Sequence, residues 1–173
     1  LFTVHGCSDR EIYAVGGNNG AALALNEEFD PGFSRGFTGL LPNTQYAFKA
    51  KARNAVGAEA AESPSVSTYT WAAATSPTTG SAFTGLTSSS ATVRWSSGTA
   101  AGGFNGPGAT YLAQASTRTD FVPVSVSSLT ASLSAGLTGL ASSTSYYFRV
   151  RGINSIGAAA DYFFLGSTFT PAV

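Results

Sequence analysis

Apolar and polar residues alternate along several short stretches of this 173-residue chain. Tyr46, Phe48, Ala50 and Ala52 are interleaved with Gln45, Ala47, Lys49, Lys51 and Arg53. A period of two sends the first set to one face of a strand and the charged set toward water. Farther along, Tyr146, Phe148 and Val150 alternate in the same way with Tyr147, Arg149 and Arg151. Ala91 to Trp95, Tyr111 to Ala115 and Phe121 to Val126 predict three more strands. Pro123 has no N–H for a ladder, which places the last of these at a sheet edge. Val66 to Trp71, Ser81 to Leu86 and Ile12 to Val15 complete the set, and the glycine-rich run from Gly102 to Gly108 predicts a loop. No window carries a capped 3.6-residue period, so the expected class is all-β.

The strands belong to a repeat with a period of one hundred residues. Thr38-Gly39-Leu40 returns as Thr138-Gly139-Leu140. In the same register Thr44, Tyr46, Phe48, Asn54, Gly57 and Ala58 meet Thr144, Tyr146, Phe148, Asn154, Gly157 and Ala158. Ser67-Thr68 and Thr70 then meet Ser167-Thr168 and Thr170, with no gap. Such an ungapped register implies a duplicated module of immunoglobulin-like size. The boundary falls near Ala73 to Pro77, dividing the chain into modules 1–73 and 74–173 joined by a short, semi-rigid linker.

The repeated segment, Thr-Gly-Leu followed by Thr-x-Tyr-x-Phe and then an Asn before a Gly, resembles the fibronectin type III module of the bacterial tandem kind. The resemblance covers nearly the whole chain. It implies two seven-stranded, immunoglobulin-like sandwiches in tandem, a structural or adhesive role and no catalytic residues. By the same resemblance Leu40 with Tyr46, and Leu140 with Tyr146, form tyrosine corners. Trp95 matches the family's core tryptophan and Tyr111 the tyrosine of its third strand, against which Tyr13 is set in the first copy. Leu40, Tyr46, Phe48, Trp95, Tyr111, Leu140, Tyr146 and Phe148 are the expected structural core, since aromatics at strand spacing bury well.

The first copy holds 73 residues before the linker and the second 100, the deficit lying at the amino end. Leu1 to His5 can serve as a second strand, which leaves no segment for a first. Two explanations follow. The chain is a piece of a longer array, in keeping with its lack of an initiating Met, or a neighbouring subunit donates the strand and joins copies head to tail. In the second case Leu1, Phe2 and Val4 are the candidate subunit interface.

Charge and composition narrow the function. Lys+Arg and Asp+Glu are nine each, and charged residues are 10% of the chain, against roughly 25% in an ordinary globular protein. This excludes a basic nucleic-acid binder and a polyacidic calcium array. Residues 1–73 carry a net charge of −2 and residues 74–173 of +2, a polarity that favours head-to-tail contact. Cys7 is alone, so no intrachain disulfide forms, and no apolar run approaches the length of a membrane span. His5 and Cys7 lie two apart with Asp9 and Glu11 nearby, too few groups for a nucleophile with its base or for zinc. Glu27, Glu28 and Asp30 read as a solvated turn. Lys49, Lys51 and Arg53, with Arg149 and Arg151, form basic stripes on equivalent strands that read as solvated sheet faces. No catalytic, metal or cofactor residues are expected. The expected partner is another copy of the chain, with a carbohydrate or surface ligand, or service as spacer to a secreted enzyme, as alternatives. Phe104 and Tyr162 are the aromatic candidates for a carbohydrate. An extracellular or cell-surface protein is expected, with no nucleic-acid partner and no membrane insertion.

Overall fold

The computed structural model describes residues 11–18, 21–23, 36–53 and 56–173, the first two stretches by their backbone alone. Every regular element among them is a strand, and the fold is all-β. The chain divides into two compact units, Leu1–Leu40 with Gln45–Thr70, and Leu41–Thr44 with Trp71–Val173. The candidate interface residues Leu1, Phe2 and Val4, the His5 and Cys7 pair, and the acidic group Glu27, Glu28 and Asp30 lie outside the described residues. So does the segment that bears on an incomplete first sandwich.

In the first unit β1 (Glu11–Asn18), β2 (Ala21–Leu23), β3 (Gln45–Arg53) and β4 (Val66–Tyr69) form an antiparallel sheet in the order β2-β1-β3-β4. The alternation in β3 sorts its faces. Tyr46 is buried and Phe48 half-buried, while Ala47 and Lys49 are exposed. The Phe48 ring packs on Phe37 with centroids 5.0 Å apart. The last strand stops at Tyr69, and Trp71, expected within it, lies outside any strand and is exposed.

The second unit contains β5 (Phe83–Thr84), β6 (Ser90–Arg94), β7 (Gly98–Thr99), β8 (Gly103–Phe104), β9 (Thr110–Ser116), β10 (Val126–Thr130), β11 (Ser134–Thr138), β12 (Ser145–Ile153) and β13 (Phe163–Phe169). Sheet β10-β9-β12-β13 faces sheet β11-β6-β5 across one apolar core, and β7 and β8 pair as a small hairpin. From the smaller sheet Val93 and Leu137 point inward, with Trp95 just past the end of β6; Tyr111, Phe148 and Val150 come from the larger. Trp95 meets Tyr111 at 5.7 Å, and Phe83 meets Phe148 edge-on at 5.2 Å. These are the tilted geometries that aromatic quadrupoles favour.

The two four-stranded sheets carry the duplication into three dimensions. Gln45↔Tyr69 through Phe48↔Val66 pair as Ser145↔Phe169 through Phe148↔Gly166 do, residue for residue. The expected match of Tyr13 to Tyr111 is off by one. Ile12 pairs with Ala52 as Tyr111 pairs with Gly152, so Ile12 holds the Tyr111 position.

Three other sequence expectations need correction. Residues 121–126 were expected to form a strand, but pairing starts only at Val126. Phe121 has φ 56°, a left-handed value that ends extended structure, and Pro123 offers no donor. The resulting β10 is nevertheless a sheet edge. The Gly102–Gly108 run is not wholly a loop, since Gly103–Phe104 pairs with Gly98–Thr99. Regular pairing in the first strand of the second copy narrows to Phe83–Thr84.

Candidate functional site

Trp95, Tyr111, Leu140, Tyr146 and Phe148 are buried in the second unit, and Tyr46 is buried in the first, where Leu40 and Phe48 are half-buried. The Tyr146 hydroxyl accepts the Ala141 N–H at 3.0 Å, and Leu140 N–H donates to Ser89 O at 3.0 Å. This corner ties the start of β12 to the opposite sheet. Burial pushes the Tyr111 phenol up, against the hydrogen bonds of Asn105 and Ser97, which lower it. Phe104 is exposed, and no other ring pairs with it among the described residues.

The outward face of β12 is more organised than a solvated stripe. Alternation places Tyr147, Arg149 and Arg151 there, between inward Tyr146, Phe148, Val150 and Gly152. The Arg149 guanidinium carbon lies 4.1 Å from the Phe121 ring centroid and 3.9 Å from that of Tyr162. Its Nε donates to Gln114 Oε1 at 2.9 Å, across the β9–β12 pairing. The Arg151 guanidinium carbon lies 4.6 Å from the same Tyr162 ring, and its Nε is buried with no hydrogen-bond partner among the described residues. The two guanidinium carbons are thus no farther apart than the sum of their distances to that ring. Cation–π attraction of this kind both binds the charge and orients its plane.

Tyr162, expected as a free aromatic, is therefore engaged with two cations. Phe121 and Gln114 were not foreseen as part of this face. Their signal is tertiary, because Phe121 reaches Arg149 from the turn before β10. The stripe in the first unit behaves differently. Lys49 bonds Glu62 at 2.9 Å, and Lys51 bonds Glu59. The Lys49 ammonium, by hydrogen bond and then charge, holds Glu62 below the usual carboxylate range. Among the described residues no three His, Cys, Asp or Glu side chains gather as a metal site. No helix of the described residues is long and apolar enough to cross a membrane.

The model of the fibronectin type III domain matches residues 75–161. No curated protein matches the chain. Among solved structures, a two-domain fibronectin type III segment of chicken tenascin aligns at TM-score 0.50 and 15% identity, over 97% of this chain and 88% of that one. The FN1–FN3 domains of chicken CNTN1 align at TM-score 0.39 and 20% identity, over 95% of this chain. The chain spans 57% of that structure. The likeness to the tenascin segment, at 15% identity, is one of fold.

Proposed function

The chain belongs to the fibronectin type III domain family, and from that premise we propose that it is a non-catalytic structural subunit of an extracellular or surface assembly. It self-associates head to tail by strand complementation of the first module from a neighbouring copy, with Leu1, Phe2 and Val4 as the candidate interface. The observation that carries this reading is the duplicated four-stranded sheet, repeated with its strand order and its β3–β4 register unchanged. A module repeated in this way is suited to presenting one kind of surface many times. The opposite net charges of the two sequence halves support head-to-tail contact over head-to-head.

Light scattering and negative-stain microscopy of the purified chain over a wide concentration range test this reading. Growing assemblies with a regular repeat are expected, and serine at Leu1, Phe2 and Val4 should abolish them. A monodisperse monomer at every concentration would overturn self-association.

A further inference from the structure

The duplication offers an internal control for the outward face of β12. In the first unit two of the three cations on β3 meet a carboxylate, Lys49 with Glu62 and Lys51 with Glu59. One hundred residues on, the cations persist as Arg149 and Arg151, but Tyr162 stands where Glu62 does and Ala159 where Glu59 does. Among the described residues neither arginine has a carboxylate within 4.0 Å. Asp161, exposed beside Tyr162 in the chain, pairs with neither. The second copy has kept two like charges against one tyrosine ring and dropped both counter-charges.

Such a pair repels itself until an anion arrives. The arrangement also reduces the cost of receiving one. Arg149 is held between Phe121 and Tyr162 and by Gln114, and Arg151 lies against Tyr162, so both side chains have given up much of their rotamer freedom beforehand. Stacking uses the faces of a guanidinium. Its N–H donors lie in the plane, where an oxyanion can meet two at once.

The neighbouring side chains narrow the ligand. Strand pairing sets Phe164 opposite Arg149, Arg149 opposite Gln114, and Gln114 opposite Ser127. Phe164 is 53% exposed, its ring 6.4 Å from that of Tyr147. One row across the sheet thus offers an aromatic ring, a cation, an amide and a hydroxyl. An acidic sugar unit presents an apolar C–H face, an anionic group and hydroxyls over a similar span. Nucleic acid fits less well, because its affinity comes from displacing many counterions at once and this face has two cations.

We propose that Arg149 and Arg151 form a binding site for an anionic polysaccharide, sharing one sulfate or carboxylate group between them, with Phe164 beneath the sugar ring. This site operates whether or not the chain self-associates.

Affinity electrophoresis of the whole chain through dextran sulfate, polygalacturonate, polyglutamate and neutral dextran tests the proposal. Retardation by one or both acidic polysaccharides is expected, weakening as salt rises and absent with neutral dextran. Which of the two binds identifies the anionic group. Replacing Ala159 and Tyr162 together by Glu installs the carboxylates of the first copy and should weaken binding roughly tenfold or more. Arg151→Gln, which leaves the Arg149–Tyr162 stack in place, should weaken it as well, with the thermal melt of each variant recorded alongside. The proposal is overturned if wild-type protein ignores both acidic polysaccharides, if polyglutamate retards it as strongly, or if folded variants bind as wild type does.

Discussion

Asp120 shows how far a surface residue is controlled by its immediate donors. Arg118 Nε and Nη2 reach its carboxylate oxygens at 3.0 and 2.8 Å, and the Val122 N–H reaches it at 3.1 Å. The Arg118 hydrogen bonds foremost, then that of Val122, hold the carboxyl at about 2 instead of 3.8. A carboxyl lowered in the fold adds stability above its unfolded value and loses it as pH falls through about 2. A carbon-detected carboxyl titration should place the Asp120 midpoint near 2, and Arg118→Ala should raise it toward 3.8. A midpoint unmoved by that substitution would assign the shift to another cause. Both side chains are at least half exposed, so the pair contributes little to overall stability.

At the scale of elements, the β7–β8 hairpin depends on one residue without a side chain. A Cβ at Gly98 would sit 2.0 Å from Gly103 O, and its φ is not among the positive ones. The constraint is therefore close backbone approach and not turn conformation. Gly98→Ala should force the two strands apart and cost roughly 1–3 kcal/mol of unfolding free energy, as overpacking does. Denaturant melts give the magnitude, and hydrogen exchange at Asn105, whose N–H reaches Ser97 O at 3.4 Å, should quicken while the β9–β12 ladder stays protected. Unchanged exchange there would show that the strands accommodate the methyl. The hairpin was read as loop because glycines carry no alternation, whereas β6, β9 and β12 were legible because their buried and exposed residues alternate.

At the scale of the molecule, the segment Leu41–Thr44 belongs to the second unit although it lies far from it in sequence. Asn43 is 2% exposed and donates through Nδ2 to the carbonyls of Gly106 and Pro107, both at 2.9 Å. Its Oδ1 accepts the Ser155 N–H at 2.7 Å and the Ser155 hydroxyl at 3.0 Å. Its φ of 45° lies in the left-handed region that Asn tolerates better than Ala. Asn43→Ala leaves those buried groups unanswered and should cost the second unit roughly 2–4 kcal/mol. Equilibrium unfolding followed by the fluorescence of buried Trp95 measures this, and a loss under half a kcal/mol would show that the clasp is incidental. Asn43 carries no local mark of this role, since nothing in the neighbouring sequence distinguishes a solvated asparagine from one that joins distant loops.

The amino-acid sequence by itself determined that the protein is all-β, that the segment from Thr38 to Thr70 recurs one hundred residues on, and which face of β3, β6 and β12 is apolar. These follow from period-two alternation and from self-similarity, both of which are properties of local chain. Only the tertiary structure decided that Ile12 takes the Tyr111 position, that Asn43 clasps residues far along the chain, and that Phe121 and Tyr162 hold Arg149. Each of those depends on which strand lies beside which and in what register. Hydrogen-bonded pairing settles that across long stretches of chain, and no local pattern records it.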